Sequence, residues 1–93
     1  MEVITVPGSL DHQTVDGFFD AVALTGSGRT LFDARHLRWV DPNGMVALLL
    51  TGTWIRDHQG ALPRLQIPES ADVVGYLGRM NFFEECDGVF DVE

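Results

Sequence analysis

The sequence predicts a single α/β domain, built as a layered fold with a mostly parallel sheet of about four strands and three to four helices. Short β-branched runs alternate with longer runs whose apolar residues repeat every three or four positions. Gly and Pro mark the junctions between these runs. Alternation of strand and helix is typical of parallel strands joined by crossover helices. The 93 residues allow one hydrophobic core.

The chain is expected to open with a strand and a helix. Val3–Val6 is short and β-branched, and Pro7-Gly8 then indicates a turn. Ser9 or Asp11 is expected to cap the helix that follows. Its apolar residues repeat at intervals of three and four and are Val15, Phe18, Phe19, Val22 and Ala23.

The next predicted elements are a central strand and a long helix. Thr25-Gly26-Ser27-Gly28 breaks the first helix, and Arg29–Ala34 forms the strand. Asp41 offers an N-cap oxygen and Pro42 suits the first helical turn, so the long helix should begin at one of them. It should run to about His58 and end at the Gln-Gly pair that follows.

The last third of the chain predicts one more strand and one more helix. A strand over Arg64–Ile67 lies between two prolines. Glu69–Met80 is typical of a helix, with three inward residues, Val73, Val74 and Leu77. Residues 84–93 are acidic with apolar interruptions, and they form either a final short strand or the start of a linker.

The long helix is expected to be apolar on two sides. Five residues gather on one broad arc, which predicts the core side: Ala47, Leu48, Leu50, Trp54 and Ile55. The opposite arc, marked by polar Thr53, Arg56 and Asp57, also carries Val46 and Leu49. An exposed apolar pair close to a loop is typical of a docking site. The alternative is that the acidic tail or the last helix packs over both residues and buries them.

The segment from strand to long helix resembles the signature of STAS domains, the family of anti-sigma-factor antagonists. In that signature, a strand that ends in an aspartate is followed by Ser-Ser-Gly or Ser-Thr-Gly and an apolar helix. Asp33 matches the strand aspartate, Asp41 the aspartate before the phosphorylated residue, and Gly44 the motif glycine. The order of elements agrees over residues 3–83.

The phosphoacceptor position departs from the family pattern. Pro42 and Asn43 stand where the family has its phosphorylatable hydroxyl, and neither side chain accepts a phosphoryl group. The resemblance therefore implies a partner-binding domain without the phosphorylation switch. Asn43 is either a neutral mimic of the hydroxyl or only a turn residue.

The resemblance implies a non-enzymatic interaction module that docks on an ATPase of the GHKL type, in trans or as a fused domain. Tyr76–Phe83 is similar to the hydrophobic close found before such ATPase domains. The alternative is an accessory subunit of a bacterial phospholipid ABC transporter. The chain starts too late for the family's extra N-terminal strand, which leaves an edge for a partner or for a homodimer. The expected partner-binding residues are Asp41, Pro42, Asn43, Gly44, Val46 and Leu49.

Composition narrows the classes of function. Fourteen acidic and six basic residues give a net charge of −8, which argues against nucleic acid and anionic membranes as partners. The start of the chain lacks the basic and apolar regions of a signal peptide, and no apolar run is long enough to cross a membrane. A single cysteine, Cys86, fits a reducing compartment, so the expected location is cytoplasmic.

Catalytic or cofactor chemistry is not expected. His12, His36 and His58 lack the spacing of metal ligands, and Gly26-Ser27-Gly28 is too short for a phosphate-binding loop. Asp33 and Asp41 should lie at opposite ends of a strand rather than form a catalytic pair. The two tryptophans, Trp39 and Trp54, are expected to bury their rings in or beside the core.

Overall fold

A computed structural model describes residues 1–26 and 28–93, which form a four-stranded sheet, a separate strand pair and four helices. The strands are β1 (Glu2–Thr5), β2 (Ser9–Leu10), β3 (Thr30–Asp33), β4 (Trp39–Val40), β5 (Arg64–Gln66) and β6 (Asp91–Val92). The helices are α1 (Val15–Ala23), α2 (Pro42–Gln59), α3 (Ala71–Arg79) and α4 (Phe82–Glu85). The predicted layered α/β class is confirmed.

The sheet has the order β1-β3-β5-β6, and all three pairings are parallel. Each new strand is added on the same side of the previous one, and right-handed crossovers then place the connecting helices on one face of the sheet. The burial pattern agrees, because Ile4, Phe32 and Leu65 are buried, whereas their neighbours Val3 and Arg64 on the other face are exposed or half-buried. The domain therefore has two layers.

Phe32 lies at the centre of the core between the two layers. Its ring packs edge-to-face against Phe18 of α1, with 6.1 Å between ring centroids, and against Phe90, at 5.2 Å. Phe90 immediately precedes β6. One aromatic cluster thus joins the central strand to the first helix and to the last ten residues.

Residues 84–93 complete the fold, so the strand alternative for this tail is the one observed. Cys86 and Phe90 are buried, and β6 pairs with β5. The backbone N–H of Glu93 donates to the Leu65 carbonyl at 2.9 Å. The acidic side chains of the tail are exposed, and so is Val92, whereas Cys86, Val89 and Phe90 belong to the core or pack against it.

The predicted cap of the first helix is wrong. The N-cap of α1 is Thr14, whose side chain does not cap the helix. Ser9 instead belongs to β2, since Ser9–Leu10 pairs with Trp39–Val40. The carboxylate of Asp11 accepts a hydrogen bond from the Gln13 N–H at 2.9 Å within the turn that precedes the helix.

The predicted core side of the long helix is confirmed for Ala47, Leu48 and Ile55 and wrong for Leu50 and Trp54. Leu50 is 57% exposed and Trp54 is 38% exposed. The buried face is lined instead by residues that are mostly small, namely Gly44, Ala47, Leu48, Thr51, Gly52 and Ile55. Small side chains bring the helix backbone close to its neighbours on this face, and Leu50 and Trp54 lie outside it.

The remaining predictions for apolar exposure are met in part. Val46 is 47% exposed, as expected, whereas Leu49 is half-buried and packs against the core. Trp39 was expected in or beside the core but is 60% exposed, because it lies on the outer side of the two-residue strand β4.

Other boundaries lie close to those predicted. Helix α2 ends at Gly60, whose φ of 69° is the left-handed conformation that favours glycine. The predicted breaker includes Ser27, which lies outside the described residues.

None of the described helices combines the length and apolarity needed to cross a bilayer.

Two glycines in helices are expected to respond in opposite ways to alanine. A β-carbon at Gly44 would overlap the Leu10 carbonyl oxygen, so Gly44→Ala should destabilise the domain at the upper end of the about 1–3 kcal/mol typical of overpacking. Gly17 has open space around it, so Gly17→Ala should stabilise by about 0.5–1 kcal/mol. Urea unfolding measures both. Equal stability of the two variants would contradict the close approach at Gly44.

Candidate functional site

The start of α2 is held by the carboxylate of Asp41. This residue has the extended backbone of an N-cap, with φ −106° and ψ 178°. Its Oδ1 accepts a hydrogen bond from the Gly44 N–H at 2.8 Å, and Pro42 occupies the first turn. The predicted cap is confirmed, and the conformation of the loop before the helix is fixed by it.

Asp41 also connects α2 to the loop before α1. Its Oδ2 accepts from the His12 backbone N–H at 3.3 Å and lies 3.5 Å from His12 Nδ1. The N–H of Gly44, and after it those of His12, hold the pKa of the Asp41 carboxyl below its ordinary value, because they hydrogen-bond the ionised form, although burial opposes this. One side chain thus anchors two loops.

The strand pair β2–β4 lies directly beneath the helix start. The backbone N–H groups of Arg38 and Trp39 donate to the Gly8 carbonyl at 2.7 and 3.1 Å. The Asp41 N–H donates to the Leu10 carbonyl at 3.3 Å, next to the point where Gly44 packs. This backbone ladder gives the loop a rigid support.

The six predicted partner-binding residues divide into two groups. Asp41, which is half-buried, and Gly44, which is buried, shape the loop. Pro42, Asn43 and Val46 are exposed beside one another at the start of the helix. Leu49, the sixth, is half-buried, so it offers less surface to a partner than expected.

The prediction that Asp33 and Asp41 lie at opposite ends of one strand is wrong, because Asp33 ends β3 whereas Asp41 follows β4, which belongs to the separate strand pair. The two aspartates carry separate structural roles. The Arg35 guanidinium donates two hydrogen bonds to the Asp33 carboxylate, from Nε to Oδ1 at 3.0 Å and from a terminal nitrogen to Oδ2 at 3.0 Å. This hydrogen bonding from Arg35 lowers the pKa of the Asp33 carboxyl against the opposing effect of burial. Both carboxylates are engaged by neighbours of their own, which is not the arrangement of a general acid and base.

Other reactive groups are dispersed among the described residues. The thiol of Cys86 is buried, and burial raises its pKa to about 12. The imidazole of His58 lies against Trp54, with 3.9 Å between ring centroids, while His12 lies beside Asp41. Within residues 1–26 and 28–93, no three metal-binding side chains are grouped to hold an ion.

The sequence prediction missed an exposed apolar stripe on α2. Val46, Leu50 and Trp54 follow one another at intervals of four residues and are all exposed, so the stripe extends from the candidate loop along the helix. Its signal in the sequence is indirect. The small residues Gly44, Ala47, Thr51 and Gly52 recur at helical spacing and mark the packed side.

Comparisons with protein-family models, with curated proteins and with solved structures find no match to this chain. The fold and the geometry at the start of α2 are therefore the basis for assigning a function.

Replacing Asp41 tests its structural role. Asp41→Ala should lower Tm by about 4–8 °C, the shift expected from the loss of a typical N-cap in a domain of this size. Asp41→Asn should lose less, because its amide oxygen can still accept from the Gly44 N–H. An unchanged Tm for Asp41→Ala would show that the carboxylate is not a cap.

The pH dependence of this effect has a definite sign. The pKa of Asp41 in the folded state is below the ordinary 3.8, so the ionised carboxylate stabilises the fold above pH 3.8. This contribution is lost as the pH falls through the folded-state pKa. The Tm difference between the wild type and Asp41→Ala should therefore be constant near neutral pH and shrink below pH 3.8.

The thiol of Cys86 is expected to be inert in the folded protein. Only a thiolate reacts rapidly, and a pKa of about 12 leaves almost none at pH 8. A chromogenic disulfide reagent should label Cys86 slowly in buffer and rapidly in guanidinium chloride. Equal rates in both would contradict the buried position.

Proposed function

We propose that this chain is a STAS-type protein-interaction module without enzymatic activity, which docks on a GHKL-type ATPase in trans or as a fused domain. The observation that carries the proposal is the exposed group formed by Pro42, Asn43 and Val46 on a loop that Asp41 anchors from two sides. This group lies in the segment that resembles the STAS signature.

The physical properties of the loop suit docking. A loop already fixed by hydrogen bonds loses little conformational entropy when a partner binds. Val46 supplies apolar area, and the first turn of α2 offers a positive helix end to acceptor groups of a partner. The net charge of −8 favours a partner with a basic contact surface.

The proposed interaction differs from that of phosphorylated antagonists. Residues 38–46 contain no hydroxyl group, so a partner kinase finds no acceptor in this loop. Docking would then depend on the concentration and nucleotide state of the ATPase rather than on modification of this chain. The exposed amide of Asn43 would hydrogen-bond where the family has its hydroxyl.

Gene neighbourhood separates this proposal from the transporter alternative. A GHKL-type ATPase or a sigma-factor regulator encoded beside this chain supports the proposal, whereas a transporter ATPase and permease support an accessory transporter subunit. Both readings place the chain in the cytoplasm.

Binding to the neighbouring GHKL-type ATPase tests the docking surface. Val46→Asp should weaken association by about tenfold or more, because it puts a charge into an apolar contact, and Asn43→Ala should weaken it less. Val3→Asp is the matched control, since Val3 is 57% exposed but lies on β1. Titration calorimetry measures affinity, and thermal melting checks that each variant is folded.

Two outcomes would contradict the proposal. The first is equal loss of affinity in Val46→Asp and Val3→Asp, which would place the contact elsewhere. The second is a phosphate found by intact mass after incubation with the ATPase and ATP, for example on exposed Ser9, since the module would then be switched by modification.

A further inference from the structure

An open apolar groove runs between α1 and α2. It has a volume of about 420 Å³. Its lining residues are Phe19, Val22 and Ala23 from α1 and Leu50, Thr51 and Trp54 from α2. The only hydroxyl among them, on Thr51, already donates to backbone carbonyls of its own helix, at 2.8 Å to Ala47 and 3.0 Å to Leu48. The lining side chains therefore offer mainly apolar contact, and the indole N–H of Trp54 adds one polar donor.

The largest side chain of the groove is held in place. The ring of Trp54 stacks on His58, one turn further along α2, with 3.9 Å between centroids and 31° between planes. His58 Nδ1 in turn lies 2.9 Å from the Trp54 carbonyl oxygen. A tryptophan fixed in this way presents its exposed face at little entropic cost, as binding anchors do.

Carboxylates border the groove on the α1 side. Asp16 is one turn before Phe19, and Asp20 is one turn before Ala23, so each acid lies next to a lining residue on the helix surface. Both acids are exposed, and α1 contains no basic residue.

On the α2 side, the guanidinium of Arg56 is already engaged by other groups. Asp57 follows Trp54 by one turn, and its Oδ1 binds the guanidinium of Arg56 at 3.0 Å. The same guanidinium donates to the Gly88 carbonyl at 2.7 Å, which turns it toward the tail. The groove is thus apolar at its floor and acidic along its α1 border.

We propose that this groove binds an amphipathic helix of a partner protein, whose apolar face is flanked by basic residues. An apolar groove between two helices fits the side chains that a helix projects at intervals of three and four residues. Basic residues beside that face would meet Asp16 and Asp20. The loop residues Pro42, Asn43 and Val46 do not line the groove, although Leu50 lies only one turn beyond Val46, so the two surfaces adjoin. The inference does not rest on an ATPase docking at the loop.

Charge distinguishes this occupant from a second copy of the chain. Each copy carries a net charge of −8, and an acidic border would meet another of the same sign in a symmetric dimer. A partner helix with lysine or arginine beside its apolar face removes that repulsion and adds attraction that salt will screen.

A synthetic peptide tests the groove directly. The probe is a fluorescein-labelled helix of about 18 residues, five turns, with leucines along one face and lysines elsewhere. Fluorescence anisotropy should report binding that weakens as salt is added. In a Trp39→Phe background, Trp54 is the only tryptophan, and its emission should shift to the blue when the peptide covers it.

Matched variants separate the apolar and the charged contributions. Leu50→Glu should weaken peptide binding by about tenfold or more, and the double variant Asp16→Asn with Asp20→Asn should weaken it severalfold and flatten the salt dependence. The controls are Trp39→Ser, which removes an exposed tryptophan elsewhere, and Asp72→Asn on α3; both should bind as the wild type does. Thermal melting confirms folding of each variant.

Three results would overturn the proposal. One is unchanged affinity in Leu50→Glu. Another is equal binding of a peptide in which every lysine is replaced by glutamate, since the acidic border would then have no role. The third is a wild-type dimer in sedimentation that Leu50→Glu converts to a monomer, which would assign the groove to a second copy.

Discussion

The close approach of α2 to the backbone of β2 is the constraint on which the rest of the structure depends. Gly44 packs directly on the Leu10 carbonyl, and eight residues later Gly52 packs on Phe90 and Val89, where a β-carbon would lie 2.5 Å from Phe90 Cζ and 2.8 Å from Val89 Cγ1. These two contacts set the rotation of the helix about its axis. They bury its small residues, fix the loop capped by Asp41 and turn Val46, Leu50 and Trp54 outward.

The two exposed surfaces on this helix follow from that one packing choice. At its start, the cap and the strand pair beneath it hold a short loop with exposed side chains. Along its length, the stripe that packing leaves outside meets Phe19 of α1 and forms the groove. A helix rotated so as to bury Leu50 and Trp54 would have neither the groove nor a continuous apolar surface beside the loop.

Local signals in the sequence predicted the strands β1, β3 and β5, the three longer helices, the parallel sheet and the cap at Asp41, because periodicity, proline and N-cap chemistry act over a few residues. The short elements β2, β4 and α4 were not predicted. The buried side of α2 was only partly predicted. Ranking residues by hydrophobicity places Leu50 and Trp54 in the core, and it gives no weight to the glycines that let the helix backbone approach its neighbours. The assignment of Ser9 to a cap failed for a related reason. Its pairing partner, Trp39, is thirty residues away in the chain, and no local pattern reveals it.

The position of Phe90 has a consequence for synthesis on the ribosome. This ring completes the cluster around Phe32, and β6 closes the sheet beside β5. A nascent chain that has emerged only as far as α3 therefore exposes Phe32 and the open side of β5, both of which the last residues cover. Until Phe90 has left the exit tunnel, the unfinished core is a surface for chaperones or for aggregation.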